Sequence, residues 1–364
     1  MVTRIAKWIL LTLVAALVLL LVWPSPIDSV AWEPPEPPAL EGGFAPNEAL
    51  KNADLLGQGE IVGPEDTAMD DQGRVYGGTD DGWIIRIDGD EVEYWVETEG
   101  RPLGMDFDAD GNLIVADAWK GLLSINPDGD ISLLTIEADG VPFAFTDDLD
   151  IASDGKIYFS DASDRFHQPD YRLDMMEARP HGRLLVYDPD TGETEVLMRD
   201  LYFANGVALS EDEDFVLVNE TWRYRIQQYW LEGDRAGESE IFAENLPGFP
   251  DNLARDDDGI FWVALPTKRN AMMDWLHPRP WLKNIAAKLP ESLQPGPEPY
   301  GFVLAYSEQG DLLGSLHDTD GEHLRMVTSV KPQGDELYFG SLYNDRIGRL
   351  SRIEALEALS EHGQ

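Results

Sequence analysis

The chain has 364 residues, and its 69 Asp and Glu against 27 Lys and Arg give a formal net charge of −42. This balance argues against nucleic acid as a partner, because phosphate binding needs a basic surface. The absence of cysteine excludes disulfides, thiolate catalysis and zinc–thiolate sites. With 43% hydrophobic residues, 33 Gly and 24 Pro, the chain has enough apolar residues for a core and a turn-rich composition typical of β structure.

The N-terminal segment carries a targeting pattern. An apolar run from Trp8 to Trp23 follows Arg4 and Lys7, and positive charge on that side predicts a cytoplasmic N-terminus. Residues 1–31 are predicted to be either an uncleaved signal anchor, which forms a transmembrane helix, or a signal peptide cleaved after Ala31. The body is then a single-pass membrane protein outside the cytoplasm (periplasmic, luminal or extracellular) or, after cleavage, a secreted one. Residues 32–50 are Pro-rich and predict a stiff spacer.

Residues 51–354 contain a sixfold repeat. Apolar residues, an acidic turn with Gly and a short β-rich run recur, as in DTAMDDQGRVYGG, MDFDADGNLIVAD and LDIASDGKIYFSD. Each unit of about 50 residues has the length of a four-stranded blade, so we predict an all-β, six-bladed β-propeller. The alternative, a β-sandwich, does not account for six copies in phase. The last unit has only three strands before the helical-looking tail (residues 355–364), so its outer strand is predicted to come from around Ala53 to Ile61.

One position of each repeat is predicted to face the propeller axis. It lies eight residues before the turn Gly, at the beginning of the innermost strand. The six positions are Glu65, Leu103, Asp147, Asn205, Asp251 and, in the sixth copy, Met326 or Val327. Four of these side chains carry oxygen, and Asn252 is adjacent to them. A ligand set with oxygen alone suits Ca²⁺ rather than Zn²⁺. Two other interpretations stay open: ordinary turn and cap residues, or an ion that only holds the blades together.

Two insertions between second and third strands, residues 162–182 and 266–300, are predicted to form a helical, apolar lid over these axial positions. Between Ala264 and Pro290 the second insertion holds five basic residues and Asp274 alone, a local charge of +4. The five cations are Lys268, Arg269, Arg279, Lys283 and Lys288. This pattern suits contact with an anionic membrane surface, and equally a solvated amphipathic lid. Further candidates for substrate binding near the mouth are Asp148, Asp161, His167, His181 and Trp275.

The repeats also carry a family resemblance. Segments such as GPEDTAMDDQGRVYGGTDDG, FANGVALSEDEDFVLVNETWRYRIQQYWL and ENLPGFPDNLARDDDGIFWVAL resemble the strictosidine-synthase-like and adipocyte plasma-membrane-associated protein family. That family is related to gluconolactonase and paraoxonase, and the resemblance covers most of residues 50–350. It implies a six-bladed propeller whose hydrolytic relatives bind Ca²⁺ on the axis and cleave esters or lactones. Its metal ligands correspond to Glu65, Asp147, Asn205, Asp251 and Asn252, a set that the strictosidine-forming enzymes largely lack.

Two departures from the family pattern bear on the chemistry. Asp147 stands where relatives usually carry Asn, which adds negative charge and is expected to tighten the metal while weakening its Lewis acidity. The His pair of paraoxonase is not matched, since the corresponding region reads RPLGMD. The expected function is a Ca²⁺-dependent ester or lactone hydrolase in which Asp251 activates water or, alternatively, acts as the nucleophile. The alternatives are a non-catalytic binding or adhesion propeller with a structural ion, and amine–aldehyde condensation as in strictosidine synthesis.

Overall fold

A computed structural model describes residues 4, 5, 7, 8, 11, 22–294 and 296–362 of the chain. Most of the apolar run that predicts a signal anchor or signal peptide lies outside these residues. Within the described part, no helix is both long and apolar enough to cross a lipid bilayer.

The body is the predicted six-bladed propeller. Six antiparallel four-stranded sheets follow one another along the chain. In blades 1 to 3 the strands are β2–β5 (Thr67–Met69, Val75–Gly78, Trp83–Asp88, Glu91–Glu97), β6–β9 (Pro102–Phe107, Leu113–Asp117, Gly121–Ile125, Ile131–Thr135) and β12–β15 (Thr146–Ile151, Ile157–Asp161, Gly182–Asp188, Glu193–Leu201). In blades 4 and 5 they are β16–β19 (Ala204–Leu209, Phe215–Glu220, Arg225–Trp230, Ser239–Ala243) and β20–β23 (Leu253–Arg255, Ile260–Ala264, Gly301–Ser307, Leu312–Asp318). A two-stranded hairpin, β10 (Glu137–Ala138) and β11 (Val141–Pro142), precedes blade 3.

Blade 6 closes the ring as the sequence predicts. It combines β24–β26 (Val327–Gln333, Glu336–Ser341, Ile347–Ser351) with β1 (Asp54–Leu56) from the start of the body. The outer strand pairs antiparallel, with Asp54 opposite Arg349 and Leu56 opposite Ile347. Because the first and last segments share one sheet, blade 6 has no vacant outer position, and its strand pairing ties the two ends of the body together.

The turn glycines explain why the repeats are in phase. Gly73, Gly111, Gly155 and Gly259 have φ between 77° and 87°, in the left-handed region that residues with a Cβ rarely adopt. Glu213, at the equivalent position of the fourth repeat, also has a positive φ, of 55°. Each of these residues lies in the hairpin between the first and second strands of its blade. The position eight residues before this turn lies within two residues of the beginning of the first strand in all five blades, which justifies the use of the turn as a ruler.

Helices lie in the two insertions and in the tail. The first insertion contains α1 (Tyr171–Glu177), and the second contains α2 (Ala271–Leu276), α3 (Pro280–Ala286) and a 3-10 turn (Glu291–Leu293). Asn270 caps α2, since its side chain accepts from the backbone N–H groups of Met272 and Met273. The tail forms α4 (Arg352–His362), with Ala355 and Leu359 buried against blades 5 and 6. Four further 3-10 turns are Gly42–Phe44, Ala49–Asn52, Thr221–Arg223 and Gly233–Arg235.

The segment that follows the apolar run packs on the body. Residues 25–32, termed the strap below, contact both insertions: the backbone N–H of Val30 donates to the carbonyl of Glu177 at 3.0 Å, and that of Trp32 donates to the carbonyl of His277 at 3.2 Å. Farther along the Pro-rich segment, the carbonyl of Glu36 accepts from Asn245 Nδ2 at 3.0 Å. The segment predicted as a spacer thus lies along the lid and the adjoining blades.

Candidate functional site

One cavity lies where the inner strands begin, and all six aligned positions line it. They are Glu65, Leu103, Asp147, Asn205, Asp251 and Met326. We call this set, together with Asn252, the axial ring. The cavity has a volume of about 950 Å³ including its open mouth. Because the repeats are in phase, side chains that are far apart in the sequence line the same cavity.

Irregular strand pairing aims several of these side chains at the axis. The register of the first and second strands shifts between Pro102 and Met105, between Thr146 and Leu149, and between Ala204 and Val207. Each shift brackets a ring position, and a bulge of this kind turns a side chain out of the regular alternation.

The neighbouring strands also approach too closely for a side chain at Gly206. A Cβ built there would lie 2.5 Å from the carbonyl oxygen of Asp251. The glycine after Asn205 thus permits the contact between blades 4 and 5.

The ring side chains are buried and bonded to one another across blades. Asn205 Nδ2 donates to Asp251 Oδ1 at 2.5 Å, and Asn252 Nδ2 lies 3.4 Å from Glu65 Oε2. Asn219 Nδ2 donates to the backbone carbonyl of Asp251 and so holds that residue from behind. Each amide nitrogen faces a neighbour, which leaves its oxygen on the other side.

Three oxygens of the ring have no hydrogen-bond partner although they are shielded from solvent. They are Asp147 Oδ2, Asn205 Oδ1 and Asn252 Oδ1. A buried acceptor without a partner is costly, about 1–3 kcal/mol per group. Three such oxygens at one site form a donor set that suits a hard cation with oxygen ligands.

The carboxyl groups of the ring have raised pKa values. Burial raises the pKa of Asp147 well above its ordinary value, and the charges of Asp251 and Asp148 add to it. Glu65 is raised in the same way, by burial first and then by Asp251. Burial raises the pKa of Asp251 to about 7. A cation between these groups has the opposite effect, because it stabilises their charged forms.

The acidic residues do not form a complete metal site by themselves. Within the described residues, no group of three or more His, Asp or Glu side chains is arranged to hold a metal ion. The amide oxygens of Asn205 and Asn252, which have no hydrogen-bond partner, are further oxygen atoms at the same position.

The two insertions cover the cavity, and its walls are mainly apolar. The first contributes Tyr171, Arg172 and Met175, and the second contributes Thr267, Asn270 and Met273. Aromatic and aliphatic residues complete the walls: Phe145, Phe203, Trp222, Phe249 and Leu342. The buried ring therefore faces a cavity with a mainly apolar lining.

The lid cations are less available than their number in the sequence indicates. Lys283 is buried and donates to the carbonyl of Val30 in the strap at 2.7 Å. Arg269 is only 2% exposed and pairs with Asp274 at 3.0 Å. Two of the five cations therefore hold the lid together instead of facing solvent.

The five further candidates near the mouth are not among the residues that line the cavity. Asp161 pairs with Arg183 and accepts from the backbone of Phe145, and His167 Nδ1 lies 3.0 Å from the carbonyl of Ala144. The other three are equally occupied: His181 Nε2 lies 3.0 Å from Glu177 Oε1, Asp148 Oδ2 accepts from the backbone of Val207, and Trp275 is exposed beneath Arg279. The structure gives each of them a local contact outside the cavity lining, although Asp148, which follows Asp147 in the chain, still adds its charge to the ring.

Several residues near the ring were not predicted. Thr221 and Trp222 follow the second strand of blade 4, and Arg172 lies in the first insertion. Asn219, which positions Asp251, precedes Thr221 by two residues. No repeat pattern marks these positions, because they depend on where loops return to the axis.

Comparisons with known proteins identify the family. The sequence model of strictosidine synthase matches residues 147–234, and that of the strictosidine synthase-like N-terminal region matches residues 42–87. Strictosidine synthase-like 6 of Arabidopsis thaliana is 39% identical over 330 residues, covering 87% of this chain and 85% of that protein. The chain belongs to the strictosidine synthase-like family. Human adipocyte plasma membrane-associated protein is 38% identical over 351 residues, covering 90% of this chain and 84% of that protein.

Solved structures support the same fold at lower identity. A gluconolactonase from Xanthomonas campestris superposes with a TM-score of 0.61 at 17% identity, over 91% of this chain and 99% of the other. A calcium-binding regucalcin from Agrobacterium tumefaciens has a TM-score of 0.55 at 14% identity, over 80% of this chain and 90% of the other. At such identities the likeness establishes the propeller fold, and the chemistry has to be argued from the site.

Proposed function

We propose that this propeller is a Ca²⁺-dependent hydrolase of carboxylic esters or lactones. The observation that carries the proposal is the set of buried, unpartnered oxygens of Asp147, Asn205 and Asn252, placed beside Glu65 and Asp251 in an apolar cavity. Related folds include a gluconolactonase and a calcium-binding regucalcin, which supports the same class of chemistry.

The five ring residues with oxygen side chains would hold the ion. When bound, Ca²⁺ supplies Lewis acidity, which polarises the substrate carbonyl and stabilises the oxyanion. Glu65, Asp147 and Asp251 provide negative charge, while Asn205 and Asn252 provide neutral oxygens. The negative charge of Asp147 strengthens binding of the cation and reduces its Lewis acidity.

Asp251 is assigned as the general base. It lines the cavity, and Asn205 and Asn219 fix its side chain and backbone through the two hydrogen bonds described above. Its carboxylate takes a proton from water as the water oxygen bonds to the carbonyl carbon. The C–O bond of the ester then breaks, and the proton passes to the alcohol oxygen. Among the described residues that line the cavity there is no His, so a carboxylate has to perform this step.

Turnover of phenyl acetate and of simple lactones, with Ca²⁺ and with chelator, tests the proposal. We expect hydrolysis that chelation abolishes and that Asp251→Asn reduces by about 10²–10⁴-fold while the variant stays folded and still binds the ion. If chelation unfolds the protein and no ester is cleaved at any Ca²⁺ concentration, the ion is structural and the propeller is a binding module. An assay for condensation of an amine with an aldehyde, run in parallel, tests the remaining alternative, a reaction like that of strictosidine synthesis.

We also propose that the body is held at a membrane on its extracytoplasmic side. The apolar run of residues 8–23 precedes the strap directly, and a 38% identical relative is named for association with the plasma membrane. Exposed Trp275 and Trp281 of the second insertion are suited to the interface of the same membrane. Alkaline carbonate extraction and protease protection of the full-length protein test attachment and orientation. Release into the soluble fraction after processing at Ala31 would favour the secreted form.

A further inference from the structure

The wall of the cavity contains one positive charge. Of the described residues that line the cavity, Arg172 is the only Lys or Arg, whereas Glu65, Asp147 and Asp251 are acidic. The whole chain carries a net charge of −42, and its Lys and Arg residues are far fewer than its Asp and Glu residues. Arg172 belongs to α1 in the lid, while the acidic residues belong to the axial ring.

The contacts of Arg172 within the protein are weak. Its Nε donates to Tyr171 Oη at 3.3 Å, and its Nη2 lies 3.2 Å from Glu291 Oε1 of the second insertion. Its guanidinium carbon also lies 5.7 Å from the centroid of the Tyr171 ring. Neither the hydrogen bond nor the ion pair uses Nη1. Glu291 is 72% exposed, and an ion pair with an exposed partner contributes only about 0–1 kcal/mol. A ligand with a negative charge can therefore replace Glu291 at little cost.

Hydroxyl groups accompany the guanidinium. Tyr171 Oη lies 3.4 Å from Tyr343 Oη, and both tyrosines line the cavity. An arginine beside two phenol hydroxyls is a donor group suited to carboxylate, sulfate or phosphate oxygens. The walls of the same cavity include apolar side chains, Phe145, Met175 and Phe249 among them.

We propose that Arg172 binds an anionic group of the substrate, so that the enzyme selects amphiphilic esters or lactones with an apolar body and a terminal negative charge. This inference rests on the hydrolase function proposed above and names its substrate class. The reacting carbonyl lies at the axial ring, the apolar body lies along the walls, and the anionic end contacts Arg172 and the tyrosine hydroxyls. The specificity determinant is thus separate from the reacting atoms.

Two esters with the same leaving group and chain length test this assignment. We compare kcat/KM of the full-length protein with Ca²⁺ for the mono-4-nitrophenyl ester of adipic acid, which has a free carboxylate, and for 4-nitrophenyl hexanoate, which has none. Arg172→Leu is expected to lower the ratio of the two values at least tenfold, mainly through KM of the adipate ester, and Arg172→Lys is expected to retain part of it. The matched control is Arg179→Leu: Arg179 is bonded to Asp28 in the strap, outside the cavity, and its loss is expected to leave the ratio unchanged.

Glu291→Gln separates substrate binding from a latch between the two insertions. If Arg172 binds substrate, removing its competing carboxylate lowers KM for the adipate ester, opposite to the effect of Arg172→Leu. If the pair only holds the lid closed, both variants change turnover of both esters in the same direction, and the proposal is wrong.

A binding measurement needs no turnover and keeps the two proposals apart. Calorimetric titration with octyl sulfate and with 1-octanol is expected to show at least tenfold tighter binding of the sulfate, a difference that Arg172→Leu removes. If no ester is cleaved but this preference is present, the hydrolase proposal fails and the anion site stands. If esters are cleaved but the protein prefers neither the adipate ester over the hexanoate ester nor octyl sulfate over 1-octanol, the anion site is refuted and the hydrolase proposal stands.

Discussion

The propeller's central channel compensates buried carboxylates differently in two sections. At the axial ring, Glu65, Asp147 and Asp251 form no ion pair with a Lys or Arg of the described chain. Arg101 lies near enough for its charge to oppose the rise in the pKa of Asp147, but its guanidinium donates to the backbone carbonyls of Gly63 and Gly78. The ring keeps three oxygens without partners.

Farther along the same inner strands, the chain supplies its own cation. Lys331 Nζ of blade 6 lies 2.8 Å from Asp106 Oδ2 of blade 2. Burial alone would lower the pKa of Lys331, but the charges of Asp106, Asp66, Asp150 and Asp148 outweigh it and raise the pKa. The carboxylates also accept backbone hydrogen bonds across blades, as from Met105 to Asp66 and from Leu209 to Asp150.

The axial ring and the section around Lys331 show two ways in which buried carboxylates can be accommodated in one channel. Where a lysine is present, its charge offsets part of the charge of carboxylates from blades 1, 2 and 3. Burial nevertheless raises the pKa of Asp66, Asp148 and Asp150. Where a lysine is absent and oxygens remain unpartnered, the Ca²⁺ proposed above would compensate the carboxylates. The following experiments test that contrast, from the largest expected effect to the smallest.

Lys331→Met removes the cation from its cluster and leaves the surrounding aspartates uncompensated. Breaking a buried pair in this way is expected to lower the free energy of unfolding by about 3–5 kcal/mol, measured by urea denaturation. Lys156→Met is the matched control, since Lys156 pairs with Asp154 on an exposed turn and its loss should cost less than 1 kcal/mol. Equal losses in the two variants would show that Lys331 does not compensate the channel.

Calcium is expected to stabilise the axial ring. At a free concentration 100 times the dissociation constant, binding adds about 2.7 kcal/mol to the free energy of unfolding and raises Tm. Thermal unfolding with Ca²⁺ and with chelator measures the shift, and Asn205→Leu should abolish most of it. A melting curve that is identical with and without Ca²⁺ would mean that the unpartnered oxygens are not ligands.

Asp174 represents a third case, a buried carboxyl group that has neither lysine nor a proposed ion. Its partners are the neutral donors Ser163 and Trp222, and burial raises its pKa to about 7. Because the folded pKa lies above the ordinary value of 3.8, the folded protein binds the proton more tightly, and stability falls as the pH rises from about 4 to about 7.

Asp174→Asn removes the titrating carboxyl group. The fall in the free energy of unfolding between about pH 4 and pH 7 should therefore become smaller by about 1–3 kcal/mol. Unfolding of both proteins at pH 5 and pH 7.5 measures the difference. If the free energies of unfolding of the two proteins differ by the same amount at both pH values, Asp174 does not titrate in this range.

Asp147→Asn tests the negative charge at a position where the family resemblance leads us to expect Asn. Loss of one negative ligand is expected to weaken Ca²⁺ binding about tenfold, or about 1.4 kcal/mol, while turnover at saturating Ca²⁺ increases because the ion becomes a stronger Lewis acid. Calorimetric titration with Ca²⁺ and esterase assays measure the two effects, with Asp110→Asn on an exposed turn as control. Unchanged affinity would remove Asp147 from the ligand set.

The fold could be predicted because each of the six repeats has the turn and strand pattern of one blade. The turn glycines have the positive φ that their alignment requires, and the outer strand of blade 6 comes from Asp54–Leu56, within the predicted segment. The same alignment brought six positions to one cavity. The candidates in the two insertions, His167, His181 and Trp275, do not line it, since nothing periodic relates an inserted residue to the axis.

What the sequence determined by itself is the number of blades, their closure and the identity of the side chains at the axis. These features follow from a local rule that is repeated, namely a turn geometry and a strand length. Only the tertiary structure decided which oxygens lack partners, that Lys331 rather than an ion compensates one section, and that Arg172 faces the cavity. Those properties depend on contacts between segments far apart in the chain, which local patterns do not encode.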